Sequence, residues 1–471
     1  MSRASSRREE PPASGGSPGR PRSRAARFRS GRALRHRARR SAQAIWEPTH
    51  DRPDPIDLLI TGDRGRVPEL LPIRYSRMAL SPFSFLRGAA GVMARDLAGT
   101  PTTGLRVQIV GDAHVANFGL FATPERDQVF DACDFDETIA GPWEWDLKRL
   151  ATSLYLVGRG NQLPRKAARE AARTAARAYR VRMATFAQLR YLDAWYSHLD
   201  LAEATRDVGP RGLRLLRQEL PAARLRTGFH AFPRLARGSG RTARIRDASP
   251  LLHHFARPAD EAMVRDAFVR YRTTLPVERR ALLDRYQLVD VAQKVVGVGS
   301  VGTRCAIGLY LADPDVREPL FLQVKEAEAS VHEPYVGRSP YRNHAERVVV
   351  GQRLIQEASD IFLGWSRSGG RDFYVRQLRD MKFASDLTSL GPDLLLGQAE
   401  LCGAALARGH ARTGDAAAIA GYLGTGEGFD LAIATFAEAY GRQTERDHAA
   451  LQRAIATGRL PGTPDGRARR R

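Results

Sequence analysis

Asp112, His114 and Asn117 fall within six residues, directly after an apolar run (Val107–Val110) that stops at Gly111. A second apolar pair, Val129 and Phe130, leads into Asp131, Asp134, Asp136 and Glu137, and Asp146 follows shortly. Carboxylates crowded at strand ends repel one another unless a cation or a proton sits between them. Hard oxygen ligands of this kind, with an Asn amide among them, suit Mg²⁺. Asp112 and Asn117 are spaced D-x-x-x-x-N. In phosphoryl transfer this spacing sets an Asp that orients and deprotonates the attacking hydroxyl beside an Asn that binds Mg²⁺. Asp134 stands where a second metal ligand belongs, and His114 is grouped with Asp112 as catalytic.

A second constellation lies far downstream. Gly297, Gly299 and Gly302 fit G-x-G-x-x-G, with Ser300 inside the motif. A dinucleotide fingerprint needs a helix directly afterwards, whereas Arg304–Leu311 reads as a strand. A Gly-rich hairpin between strands is the arrangement that covers ATP phosphates, because no Cβ keeps the backbone from phosphate oxygens. Lys325 follows in the strand PLFLQVKEA, on one face with Phe321 and Gln323. Only five of the 74 basic residues are Lys, so a Lys within an apolar strand stands out. Its expected role is to hold phosphates, with Glu346 in the next helix as ion-pair partner and Gln352 or Glu357 as alternatives. A plain glycine hairpin, or turn-forming acids, would explain one motif each but not both in one chain.

The expected activity is therefore an ATP- and Mg²⁺-dependent phosphotransferase acting on the hydroxyl of an unidentified small molecule or protein. AMP transfer or nucleotide binding alone would use the same parts. Metal-dependent hydrolysis by Asp112, His114 and Asp134 would leave the hairpin and Lys325 idle. A different class, a basic nucleic-acid-associated protein, is suggested by the net charge of +22.

These residues need elements to position them. Residues 105–110 and 128–133 read as strands and residues 70–97 as helical, with Ser81-Pro82 a cap. A helix is expected to start at Asp146, and Ala- and Arg-rich residues 165–196 read as another. Residues 200–258 read as loop or short helix, and 259–287 as two helices. Residues 288–327 read as strand, turn, strand, loop, strand, followed by a helix at 344–358 and a strand at 372–378. Everything after 392 is helical. The fold class is α+β.

Residues 1–48 hold a disordered basic tail, with 13 Arg against two Glu in the first 44, and 459–471 form another. Weak contact with nucleic acid through these tails is a further expectation. No apolar run suits a membrane span or a secretory signal. Three distant cysteines fit neither a disulfide framework nor a zinc site, so a cytoplasmic protein is expected.

GDAHVANFG resembles the G-D-x-H-x-x-N catalytic loop of aminoglycoside phosphotransferase-like kinases. DFDETIAGPWEWDLKRL resembles their metal-binding segment, with Asp146 as the structural aspartate opening the next helix. Residues 50–455 resemble the bacterial family catalogued as domain of unknown function 2252. The resemblance rests also on SPFSFLRGAA, GVGSVGTR, FLQVKEA, VVVGQRLIQEASDIFLGW, YVRQLRDMK and GAALARGHARTGD. It departs at Cys133, where Asn is expected, and at Arg304, where Val is usual. It implies a two-lobed protein-kinase-like fold, ATP as ligand, and a circular permutation, because the catalytic loop precedes the lysine. Residues 49–287 would open the large helical lobe. Residues 288–385 would form the small antiparallel β lobe, and 386–458 would complete the large one.

Overall fold

The computed structural model describes residues 22–197, 210–224, 228–312, 318–378 and 385–462. The remainder of both tails lies outside them. The strands are β1 (Arg106–Ile109), β2 (Phe118–Ala122), β3 (Gln128–Ala132), β4 (Ile139–Pro142), β5 (Ala236–Arg237), β6 (Arg244–Ile245), β7 (Leu252–His253), β8 (Gln287–Lys294), β9 (Cys305–Leu311), β10 (Pro319–Ala327), β11 (Gly364–Ser368) and β12 (Arg371–Gln377). The last six form one antiparallel sheet in the order β11–β12–β10–β9–β8–β7. β1 with β4, β2 with β3 and β5 with β6 make separate two-stranded ribbons. The class is α+β, with small antiparallel sheets in a mostly helical chain.

Alternation along β10 divides the large sheet into two faces. Leu320, Leu322 and Val324 pack with Val264, Phe268 and Tyr271 of the Pro258–Tyr271 helix. Phe321 faces the other way, among Ala231, Phe232, Ile245, Leu252, Ile307 and Leu309. With both faces covered, β9 is buried at every position, as strands covered on both sides are.

The helical part is built by close approach. The Arg165–Phe186 helix buries Ala168, Ala171, Ala172, Ala175, Ala176 and Tyr179 in one stripe at three- and four-residue spacing. Such small side chains let the Pro392–Thr413 helix come near: a Cβ on Gly403 would lie 2.4 Å from the Ala175 carbonyl oxygen. The Trp143–Gly160 helix joins the same core, with Trp143 stacked on Tyr179 at 5.5 Å. At native packing density, volume added at these contacts has nowhere to go.

Several expectations need correction. Residues 24–44 are not a disordered tail. Arg24–Ala33 is a helix capped by Ser23, and it lies against the Ala416–Leu423 helix so closely that a Cβ on Gly31 would meet the Ala418 carbonyl oxygen at 1.8 Å. Part of its basic charge is engaged internally: Arg27 pairs with Asp415 at 3.1 Å, and Arg35, just after the helix, donates to the Tyr422 and Gly421 carbonyls. That leaves less of this stretch to contact nucleic acid. The expected helix at 70–97 is three helices, Leu71–Met78, Pro82–Gly88 and Ala90–Ala98, the second capped by Ser81. The helix expected from Asp146 begins at Trp143. The Pro258–Tyr271 helix and β7 belong with the sheet, so the sheet unit begins well before residue 288. β2, β4 and β11 carry too little apolar alternation to be read as strands from sequence.

Candidate active site

β1 ends at Ile109, and the chain turns at Gly111, which has φ +83, a region favouring glycine. A Cβ there would also lie 2.3 Å from the Glu137 carbonyl oxygen. The loop that follows is held from outside. Asp146 accepts the backbone N–H of Val110 at 2.6 Å and of Gly111 at 2.9 Å. Asp146 is steadied in turn by His410 at 3.2 Å, and His410 by the Tyr179 hydroxyl at 2.9 Å. A single 3₁₀ turn, Val115–Asn117, brings Asn117 back so that its Nδ2 donates to the Asp112 carbonyl at 2.8 Å. The amide is thereby oriented, so Oδ1 is the atom that could accept from or ligate another group.

The Asp112 carboxylate receives two donors of Arg149, Nε at 2.6 Å and Nη2. Burial works against its charge, but Arg149 and Arg87 outweigh burial and hold the carboxyl below its usual range. Asp112 is thus an anion at neutral pH. His114 Nε2 lies 3.7 Å from Asp112 Oδ2. Burial pushes the His114 imidazole down to about 3, so it is neutral, and its Nδ1 has no hydrogen-bond partner.

Lys325 closes the site from the sheet. Its amine is paired with Asp136 and lies 3.7 Å from Asp134 Oδ1. Asp136 also accepts from the Tyr374 hydroxyl at 2.7 Å and from Ser300 at 3.3 Å. Burial opposes the Lys325 charge, but Asp134 and Asp136 hold the amine protonated. Asp136 feels the same burial, which Lys325 overcomes, so its carboxyl is held down. At Asp134 burial and the neighbouring Asp136 win, raising the carboxyl above its usual range. Asp134 Oδ1 is buried and, among the described residues, makes no hydrogen bond. An oxygen left unsatisfied beside a second carboxylate fits a cation. Among the described residues no three His, Cys, Asp or Glu side chains could hold a metal by themselves. Asp134 and the Asn117 amide could at most serve a hard cation that takes one or two protein oxygens and completes its shell from elsewhere.

The partner expected for Lys325 was not found. Glu346 is partly exposed in the first turn of the His344–Ile355 helix. Gln352 bonds Gln356 at 2.7 Å, and the backbone of Glu357 bonds Asp131 at 2.8 Å. The side chain reaching inward from this helix is Arg347, which donates to the carbonyls of Thr138, Asp136 and Glu328. It fixes the backbone around Asp136.

Residues 297–302 connect β8 to β9, with Gly297 at φ +65 and Gly302 at φ +97. The loop is tied down by the N-terminal helices. Arg66 donates to the carbonyls of Gly299 and Val301, Arg77 to that of Gly297, and the Gly302 carbonyl accepts from Val67 N–H at 2.7 Å. Gly297, Gly299 and Ser300 line a cavity of about 160 Å³ with Asp112, His114, Asn117, Asp134, Asp136 and Glu137. That volume suits a phosphate chain with its metal rather than a whole nucleotide, since pockets for drug-sized ligands run from about 300 Å³ upward. The face carrying Lys325 continues to Gln323 and Phe321, where Phe232 covers it at a ring distance of 6.4 Å. A larger cavity, about 530 Å³, opens on the opposite face beside Val324 and Met263, away from these groups.

Sequence reasoning left Asp131, Asp136 and Glu137 without roles and did not single out Arg149 or Arg87. Asp131 is a buried partner of Arg408. Arg149 could have been found, since it lies one turn after Asp146 on the same helix face. A family model described as an uncharacterized protein conserved in bacteria (DUF2252) matches residues 66–454. The match spans most of the chain, which therefore belongs to that family. No curated protein and no solved structure matches.

Proposed function

We propose that this member of the bacterial DUF2252 family is an ATP- and Mg²⁺-dependent phosphotransferase of kinase-like, circularly permuted fold, acting on an acceptor hydroxyl. The observation that carries the reading is convergence. Asp112, Asn117, Asp134 and Asp136, from loops in the first third of the chain, line one cavity with Gly297, Gly299 and Ser300, and Lys325 reaches Asp134 from behind. The order of the sheet supports it. Two strands joined by a Gly-rich turn, a third strand bearing a buried Lys, a helix and two further strands are the parts of a kinase phosphate-holding lobe.

In this reading Lys325 and the backbone of Gly297–Gly302 hold the phosphates, while Asp134 and the Asn117 amide hold Mg²⁺. Bound there, Mg²⁺ would offset charge on the phosphate oxygens. The acceptor oxygen forms a bond to the terminal phosphorus as the bond from that phosphorus to the bridging oxygen breaks. ADP departs with that electron pair, and the acceptor proton goes to Asp112. Asp112 is a weak base, which suffices where the transition state is loose and the oxygen loses its proton late. Arg149 keeps the carboxylate ionised and aimed.

The test is transfer of label. The full chain is incubated with Mg²⁺, cell extract and ATP labelled at the γ- or the α-phosphate. Phosphotransfer labels an acceptor from γ only, and Asp112→Asn and Asp134→Asn each remove most of the label. Label from α instead marks AMP transfer. No label from either, with active protein and a range of extracts, contradicts both.

A further inference from the structure

We propose that Arg87 contacts the terminal phosphate of the nucleotide and neutralises charge on it during transfer, making it a catalytic residue outside the two acidic loops and the Gly-rich turn. The inference rests on the phosphotransferase reading and adds a group to the same site.

Arg87 lies in the last turn of the Pro82–Gly88 helix and lines the cavity with Asp112, Asp134, Gly299 and Ser300. The other arginines nearby are committed. Arg149 holds Asp112 and donates to the Leu86 carbonyl. Arg66 and Arg77 hold carbonyls of the Gly-rich turn. Arg74, the second cation lining the cavity, donates to the Gly88 carbonyl at 2.9 Å. Among the described residues Arg87 makes no hydrogen bond and no ion pair within 4.0 Å. Its Nε is buried without a partner, and its contact is the Phe83 ring at 5.9 Å.

A guanidinium drawn partly out of water with no anion beside it is costly, and that cost is offset when an anion arrives. Asp112 and Asp134 attract it from across the cavity, yet neither is within ion-pair distance. The backbone fixes its place. The Arg87 carbonyl oxygen lies 3.0 Å from where a Cβ on Gly299 would stand, so the Gly-rich turn passes directly over this residue. The phosphate chain beneath that turn would end on the Arg87 side. A planar fork of donors matches phosphate oxygens, and an arginine so placed stabilises charge in phosphoryl transfer.

The test is titration calorimetry with Mg·ATP and Mg·ADP on wild type, Arg87→Gln and Arg87→Lys, with circular dichroism as the check on folding. Wild type is expected to prefer ATP over ADP by about tenfold or more, the scale of a charge-assisted phosphate contact. Arg87→Gln is expected to lose that preference by weakening ATP while ADP affinity stays within about twofold. Arg87→Lys keeps the charge without the fork, is expected to retain part of the preference, and serves alone should the Gln variant not fold. Transfer rate should fall by about 10³-fold or more in Arg87→Gln. An unchanged ATP-over-ADP preference in the folded variants overturns the role of Arg87 and leaves the phosphotransferase reading standing. Failure of wild type to bind either nucleotide overturns both.

Discussion

Lys325 Nζ lies 3.7 Å from Asp134 Oδ1, although β10 and the loop after β3 are separated in the chain by several helices and the six strands β4 to β9. This approach makes one site out of two sequence motifs. It also explains how Asp134 tolerates burial beside Asp136: the Lys325 ammonium supplies the opposing charge. A phosphate chain entering the cavity would exchange part of that pairing, and Mg²⁺ would take up the carboxylate oxygen that has no hydrogen bond.

Asp146 is the structural support of the loop carrying Asp112. Asp146→Ala leaves the buried N–H groups of Val110 and Gly111 without acceptors, and His410 Nε2 without its contact. A loss of about 2–4 kcal/mol is expected from urea unfolding with an unchanged slope. A loss below about 0.5 kcal/mol would mean the loop holds itself.

Glu137 gives a pH signature. Burial raises its carboxyl from 4.5 to about 7, against the Val331 N–H that bonds its charged form. Folded protein thus holds this proton more tightly than unfolded chain. The resulting stabilisation is complete below pH 4.5 and is lost as pH rises through 7. Glu137→Gln should match wild type near pH 4.5 and exceed it by about 1–2 kcal/mol at pH 8, allowing for water in the cavity. Parallel stability curves for the two proteins would show that the carboxyl does not titrate there.

If Asp112 is the base of the proposed transfer, Arg149 should set the acid limb of its rate. With Arg149→Met, burial is left to raise the Asp112 carboxyl, which Arg149 otherwise holds low. The base is active when ionised, so the acid limb of the transfer rate should move to higher pH by about one to two units. A fall in rate with no movement of the limb would limit Arg149 to positioning.

Phe232 covers the Lys325 face of the sheet beyond Gln323. A nucleoside extending from phosphates at Lys325 competes with it for that surface. Phe232→Ala should therefore tighten Mg·ATP by about three- to tenfold in calorimetry while leaving inorganic tripolyphosphate unchanged. Equal gains for both ligands would place the nucleoside elsewhere.

The chemical groups were easier to read than their partners. Asp112, Asn117 and Lys325 stand out because spacing and strand context make them unusual. Arg149 and Arg87 do not, because 69 arginines hide the few that face the cavity. Glu346 was misread through one residue of helical phase: a step of about 100° turns Arg347 inward and leaves Glu346 at the helix edge. The Arg24–Ala33 helix was missed because its contact is backbone on backbone, through Gly31 and Gly421, with an element at the far end of the chain. Nothing in a local apolar pattern records such a contact.

The claim that this cavity holds the phosphates of Mg·ATP is tested most directly by thermal unfolding with and without Mg·ATP, on wild type, Lys325→Met and Asp134→Asn. Ligand at about a hundred times its dissociation constant adds about 2.7 kcal/mol, so wild type should gain a few degrees. Both variants should fold and lose that gain. A wild type indifferent to Mg·ATP, or variants stabilised as much as wild type, would contradict the account.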